Sequence, residues 1–189
     1  MSLRLSGGRR LQSPPGQSAR PTPARVRLAV MNILAAELPG AQWLDLFSGS
    51  GVMACEALQR GAAGVVAIEQ DRANAATCRA NLAAVCQGLG RPCSAEVLQR
   101  DVLSWLRCPT RGEATAGSGG FDLIYADPPY RAELYGAIGA AIASGPWLKP
   151  GGLMLWECSS TAVPDIPSGW GLVKLKRYGS SSVLVLNKD

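Results

Sequence analysis

The stretch Asp45-Leu46-Phe47-Ser48-Gly49-Ser50-Gly51 decides the fold. Its apolar start predicts the end of a buried strand, and the pattern after Gly51 predicts a helix that extends to about Arg60. Glycines between a strand and a helix let the backbone pass close to a ligand, and the helix N-terminus offers free N–H groups. Gly49, Gly51 and Ala54 also match the dinucleotide fingerprint G-x-G-x-x-G/A. Because a lone match to this fingerprint is weak evidence, a tight turn that binds no ligand remains an alternative interpretation.

The alternation of strand and helix continues on both sides of this stretch. Seven strands are predicted, over Gln42–Phe47, Gly64–Glu69, Ala95–Gln99, Phe121–Ala126, Gly152–Glu157, Trp170–Tyr178 and Ser181–Leu186. Apolar strands separated by helices predict a mostly parallel sheet that is covered on both faces. The last two strands alternate across a short turn and therefore predict a closing antiparallel hairpin. The expected fold class is α/β and Rossmann-like, with a seven-stranded sheet and helices on both faces.

The charge of the chain is concentrated at its N-terminus. The net charge is +5, from 19 Lys and Arg against 14 Asp and Glu, and the first acid is Glu37. We therefore expect a basic arm over residues 1–21 followed by a single domain over residues 22–189. Positive charge of this kind suits a polyanion, because neutralised phosphates release counterions, although a solvated tail is the simpler alternative. The candidate nucleic-acid contacts are Arg4, Arg9, Arg10, Arg20, Arg25 and Arg27.

The start of the first helix is predicted at Thr22-Pro23. Thr22 is expected to be the N-cap and Pro23 the first helical residue, and Pro39-Gly40 ends the helix.

Composition excludes several classes of protein. The chain has no histidine, which excludes Ser-His-Asp and Cys-His enzymes and any His-ligated metal. Six cysteines without a C-x-x-C pair make a zinc site improbable and favour free thiols, so we expect no metal. The chain has neither a stretch of about 20 apolar residues nor a signal-like start. We therefore expect a cytoplasmic protein with no membrane partner.

Three acids follow or end the first three predicted strands. Asp45 lies beside the glycine turn, where it would repel a pyrophosphate and favour a cation such as S-adenosylmethionine, although it could instead bond to backbone N–H groups. Glu69 lies 18 residues after Gly51, close to the spacing of about 20 for an acid that accepts ribose hydroxyls. Asp101 could accept from an adenine amino group, and an N-cap for the next helix is equally consistent.

The motif Asp127-Pro128-Pro129-Tyr130 carries the most information about chemistry. The two prolines hold the acid in a rigid extended turn and donate no N–H, so nearby carbonyls stay free to accept. A carboxylate and a carbonyl that accept from an exocyclic amine would make its nitrogen more nucleophilic, and the carboxylate could take the proton. Tyr130 offers a face on which a base can stack. An ordinary D-P-P turn is the simpler alternative.

These residues together resemble class I S-adenosylmethionine-dependent methyltransferases that act on amines. The N-terminal half narrows the resemblance to the bacterial small-subunit rRNA guanine-N2 methyltransferase family. The matching segments are Leu3-Arg4-Leu5-Ser6-Gly7-Gly8, Arg20-Pro21-Thr22, Arg25-Val26-Arg27 and Asn32-Ile33-Leu34.

The resemblance implies methylation of the N2 amine of a guanine in 16S rRNA, with S-adenosylhomocysteine as product and no metal. It implies that the cofactor is held by Asp45, Gly49, Gly51, Glu69 and Asp101. It further implies that Asp127, Pro128 and Tyr130 hold the guanine, and that Thr22 joins the arginines in contacting RNA. The substrate could be free rRNA or an assembling small subunit, and a monomer is favoured. A DNA or RNA adenine-N6 methyltransferase, an NAD-dependent oxidoreductase and a non-catalytic RNA-binding factor remain as alternatives.

Overall fold

The computed structural model describes residues 3–14, 22–108, 119–129 and 132–189. Its strands are β1 (Gln42–Leu46), β2 (Gly64–Glu69), β3 (Ser94–Gln99), β4 (Phe121–Ala126), β5 (Leu148–Ser159), β6 (Trp170–Tyr178) and β7 (Ser181–Lys188). Its helices are α1 (Ala24–Ile33), α2 (Val52–Gln59), α3 (Arg72–Gly88), α4 (Val102–Arg107) and α5 (Ala132–Ser144). None of the helices in these ranges is long and apolar enough to cross a membrane.

The strands form one sheet in the order β3-β2-β1-β4-β5-β7-β6. The pairs among β3, β2, β1, β4 and β5 are parallel, whereas β7 is antiparallel to both β5 and β6. The predicted mostly parallel sheet with a closing antiparallel hairpin is therefore confirmed. The carboxyl ends of β1, β2 and β4 lie at one edge of the sheet, which is where ligands bind in open α/β folds.

Each face of the sheet is covered by its own apolar core. Residues 3–14 pack with α1, α2 and α3 on one face, and α4 and α5 pack on the other. The strand residues divide between these cores as the alternation of side chains requires, with Trp43 in the first and Leu44 in the second. The sheet is thus buried on both sides, as its apolar strands predict.

The N-terminal segment is part of the first core. Leu3, Leu5 and Leu11 are buried in it, and a short antiparallel bridge joins Arg4 and Arg10. The basic arm predicted over residues 1–21 therefore packs against the domain wherever the structure describes it.

The start of α1 differs from the prediction. Pro23, not Thr22, is the N-cap, and its carbonyl accepts from the amides of Val26 and Arg27 at 2.9 and 3.0 Å. No side chain caps the helix, because Pro23 has no side-chain acceptor, and the Thr22 hydroxyl bonds to Asp127. The helix ends at Ile33 and is followed by turns, so the predicted end at Pro39-Gly40 is wrong.

Candidate active site

The glycine turn after β1 is held in an unusual backbone conformation. Phe47, Gly49 and Gly51 all have positive φ, at 62°, 53° and 75°. A Cβ at Gly51 would lie 2.5 Å from the Sγ of Cys78, so only glycine lets α3 pack this closely. A Cβ at Gly49 would meet nothing within 4 Å, which leaves open space at the turn. A non-glycine residue with positive φ costs free energy and is typical of functional sites.

Glu69 connects the glycine turn to the loop after β2. Its carboxylate accepts from the amides of Gly49 and Asp71, both at 2.8 Å, and the residue is 7% exposed. Glu69 therefore lies beside the turn, as its position in the sequence predicts. The ribose contact assigned to it stays a prediction.

Asp45 is a buried acid at the end of β1, 1% exposed. Its carboxylate accepts from the amide of Ala54 at 3.1 Å, so the backbone alternative left open by the sequence is observed. Burial, and then the charge of Glu69, raise the pKa of Asp45 to about 8. A carboxylate with so little solvation is stabilised by a nearby cation and destabilised by an anion.

Asp101 is the N-cap of α4. Its side chain accepts from the amide of Ser104 at 2.9 Å, and the residue is exposed. The N-cap function is thus confirmed, and contact with an adenine stays a prediction for the second carboxylate oxygen.

Asp127 follows β4 at the same edge of the sheet as Asp45. It is half-buried, Pro128 is buried and Pro129 is exposed, whereas Tyr130 lies outside the described residues. Burial, and then the charges of Glu157 and Asp45, raise the pKa of Asp127 to about 8, against the opposing effect of the hydrogen bond from Thr22. The sequence-predicted acids Asp45 and Asp127 are therefore close enough to influence each other.

Glu157 is a fourth acid at this edge, after Asp45, Glu69 and Asp127, and the sequence analysis missed it. It lies on β5, is 2% exposed and accepts a hydrogen bond from the hydroxyl of Tyr125. Tyr135 donates to its backbone carbonyl at 2.6 Å. An available signal was its position at the end of the predicted strand Gly152–Glu157, which matches that of the other acids.

The candidate RNA contacts fall into different environments. Arg4, Arg10 and Arg25 are exposed, and Arg9 is half-buried and donates to the carbonyl of Ala84 at 2.7 Å. Arg20 lies outside the described residues.

Arg27 requires a correction. It is 6% exposed, and its guanidinium donates to the carbonyls of Thr22 and Arg4 at 2.8 and 2.6 Å. Its Nε lies 3.5 Å from Glu56, which also accepts from the amide and the hydroxyl of Ser6. Arg27 therefore fixes the N-terminal segment to α2, and its prediction as an RNA contact is wrong. Thr22, which is 8% exposed, faces Asp127 rather than the surface.

Comparisons with known proteins agree with this architecture. The family model described as Conserved hypothetical protein 95 matches residues 5–187. Ribosomal RNA small subunit methyltransferase D of Escherichia coli is 34% identical over 183 residues, which cover 96% of this chain and 86% of the relative. Its counterpart from Haemophilus influenzae is 30% identical over 91% of this chain and 84% of the relative.

The fold is similar to that of solved structures with related sequences. A structure of an Escherichia coli protein assigned to the methyltransferases has 31% identity and a TM-score of 0.79, and the match covers 100% of this chain and 99% of that one. The predicted Rossmann-like class I methyltransferase fold is therefore confirmed. The chain belongs to the Conserved hypothetical protein 95 family, which is the family of ribosomal RNA small subunit methyltransferase D.

Proposed function

We propose that this protein transfers a methyl group from S-adenosylmethionine to the N2 amine of a guanine in 16S rRNA. The observation that carries the proposal is the position of Asp127. Its carboxyl group lies at the carboxyl end of β4, held by Thr22 and within electrostatic reach of Asp45 beside the glycine turn. The names of the related methyltransferases support rRNA as the substrate.

The residues at the glycine turn suit S-adenosylmethionine, which carries an ammonium and a sulfonium. Buried Asp45 favours a cationic ligand, and the open space at Gly49 leaves room beside the backbone. Glu69 would accept from the ribose and Asp101 from the adenine, while Gly51 keeps the turn tight against α3. When bound, the cofactor supplies a methyl group that is already activated by the positive sulfur.

The protein's own contribution is to position and deprotonate the amine. Asp127 and the carbonyl of Pro128 would accept the two N–H bonds of the guanine amine, and Tyr130 would stack on the base. This draws the amine protons away from the ring plane and raises the nucleophilicity of the nitrogen. Asp127 then takes the proton that the nitrogen loses when it becomes methylated. The base must be unstacked to enter, because its amine is inaccessible within a helix.

Exposed arginines would hold the phosphates of the RNA. Arg4, Arg10 and Arg25 are accessible for this purpose, and Arg9 and Arg20 complete the proposed set. The reaction needs no metal, and we propose that it takes place in the cytoplasm on rRNA or on an assembling small subunit, with the protein acting as a monomer.

The test is to identify the methylated nucleoside. Purified protein is incubated with isotope-labelled S-adenosylmethionine and either 16S rRNA or small-subunit particles, and the digested RNA is analysed by mass spectrometry. We expect labelled N2-methylguanosine at one position, which should also lose its methyl group when the gene is deleted. Labelled N6-methyladenosine would instead indicate an adenine enzyme. RNA binding without transfer would indicate a non-catalytic factor, and NAD binding by calorimetry would indicate an oxidoreductase.

A further inference from the structure

The edge strand β6 carries a second group of basic side chains. Lys174, Lys176 and Arg177 are exposed, and the chain has no acidic residue between Asp165 and Asp189. Within the described ranges, none of the three forms an ion pair, because the two ion pairs found there involve other cations. Their positive charge is therefore not neutralised by the described part of the protein.

The direction of β6 places its last residues at the same end of the sheet as Asp127. Because β7 is antiparallel to both neighbours, β6 is parallel to β5 and ends at the same edge. Arg177 is paired with Ser182 of β7, and Ser182 is paired with Cys158 near the end of β5. Strands are spaced by about 4.8 Å, so β6 lies roughly 14 Å from β4 across the sheet.

Lys174 and Lys176 share a face of the sheet with the N-terminal segment. They are paired with Val185 and Val183, which belong to the same core as residues 3–14 and α1. In the strand order, β4, which ends before Asp127, lies between the edge strand β6 and the strands β1–β3. The helices α2 and α3 hold the N-terminal segment over β1–β3. In this strand order, elements that carry basic side chains therefore lie on both sides of Asp127.

The shape of β6 argues against a protein strand as its partner. The pairing register shifts between Leu172 and Lys174, which is the signature of a bulge. Bulges and lysines on an edge strand disfavour the addition of another strand. A flexible polyanion does not need a regular edge, and separated positive charges suit the phosphates of an RNA backbone.

We propose that the free edge of β6 is a second phosphate-binding surface, on which Lys174 and Lys176 from one face of the sheet and Arg177 from the other hold RNA. This surface lies on the opposite side of Asp127 from the arginines of the N-terminal segment. This inference rests on the proposed function, because it assigns part of the contact with the rRNA.

The test replaces all three side chains, as Lys174→Gln, Lys176→Gln and Arg177→Gln, in the full-length protein. Affinity for 16S rRNA is measured by filter binding at several salt concentrations. Loss of three single-strand phosphate contacts should lower the slope of log K against log salt by about 2, and weaken binding up to roughly a hundredfold at 0.1 M salt. Affinity for S-adenosylmethionine and turnover at saturating RNA should stay unchanged.

Two controls make the result interpretable. The double variant Arg60→Gln and Lys149→Gln removes charge at the opposite edge of the sheet and should leave the salt slope near that of the wild type. The charge-preserving variant Lys174→Arg, Lys176→Arg and Arg177→Lys should bind RNA as the wild type does.

Some outcomes would overturn the inference. If the wild type methylates rRNA but the triple Gln variant binds it with the wild-type slope, β6 is not an RNA surface. Self-association of that variant with unchanged RNA affinity would show that the basic residues only protect a sheet edge. If the wild type neither binds nor methylates rRNA, the proposed function itself fails.

Discussion

Methyl transfer by this protein should increase with pH through about 8. Burial and the charges of Glu157 and Asp45 raise the pKa of Asp127 from 3.8 to about 8. Because the proposed base is the carboxylate form, kcat/KM should rise as Asp127 loses its proton. Below pH 8 the ionised fraction of Asp127 falls about tenfold per pH unit, so this group alone should place kcat/KM at pH 6 about a hundredfold below its plateau.

The assay measures transfer of labelled methyl groups to 16S rRNA between pH 6 and 9.5. kcat/KM is determined for S-adenosylmethionine at subsaturating RNA, so that it reports the protein before the cofactor binds. Asp127→Asn should lower turnover by about 10²–10⁴-fold, while cofactor affinity is largely kept. It should also make the acid limb less steep by one proton, leaving only the part that Asp45 contributes through cofactor binding. Asp122→Asn, at the start of the same strand and away from the proposed site, is the matched control and should retain the pH dependence of kcat/KM.

The reasoning would be refuted by a flat wild-type profile over this range. It would also be refuted if Asp127→Asn showed the same acid limb as the wild type, because another group would then be titrating.

Three further perturbations test the surroundings of this carboxyl group. Thr22→Val should move the acid limb of the rate profile to higher pH, because the Thr22 hydroxyl lowers the pKa of Asp127, and Thr22→Ser should preserve the limb. Arg27→Met should lower the free energy of unfolding in urea by about 3–5 kcal/mol, since it leaves Glu56 buried without its cation. Adding Glu56→Gln should recover part of that loss. If the stability losses of the two single variants were strictly additive in the double variant, the pairing would be contradicted. Affinity for S-adenosylmethionine, measured by calorimetry, should increase from pH 7 to 9 as the carboxyl group of Asp45 ionises. Asp45→Asn should weaken both the affinity and its pH dependence. An unchanged profile in that variant would exclude Asp45 from the cofactor site.

The order of elements and the acids at the strand ends were predictable from sequence. Apolar strands followed by helices specify a parallel sheet, and parallel strands bring their carboxyl ends to one edge. Asp45, Glu69 and Asp127 therefore meet at the edge where the pattern predicts them. Asp101 was ambiguous because the same position suits an N-cap and a ligand contact.

Glu157 was missed because its importance depends on which strands are neighbours. The sequence shows an acid at the end of an apolar strand, but only the pairing of β4 with β5 places it beside Asp127. The hydroxyl of Tyr125, one strand away, then supplies its hydrogen bond. Such long-range neighbours are not encoded in local spacing.

Arg27 was misjudged because the buried stripe of α1 is wider than its aliphatic residues suggest. Val26, Arg27, Val30 and Met31 are all buried, so the arginine faces the core together with the apolar side chains. Its burial is tolerated because Glu56 balances the charge and two backbone carbonyls accept from its terminal nitrogens, although its buried Nε has no hydrogen-bond partner among the described residues. Glu56 lies 29 residues further along the chain, where helical periodicity gives no indication of it.

In the proposed mechanism, the cluster of acids would link cofactor binding at Asp45 to deprotonation of the Asp127 carboxyl group. In the free protein, Asp45 and Asp127 each have a pKa of about 8, largely because burial and neighbouring carboxylates disfavour the charged forms. Both groups thus hold protons in the folded state that the unfolded chain releases near pH 4, so the stability they contribute is present at low pH and is lost as pH rises through 8. A cationic ligand at Asp45 opposes the same repulsion and favours both carboxylates. Binding of the methyl donor should therefore lower the pKa of Asp127 and prepare it to accept the proton of the amine, whereas an anionic pyrophosphate would have the opposite effect.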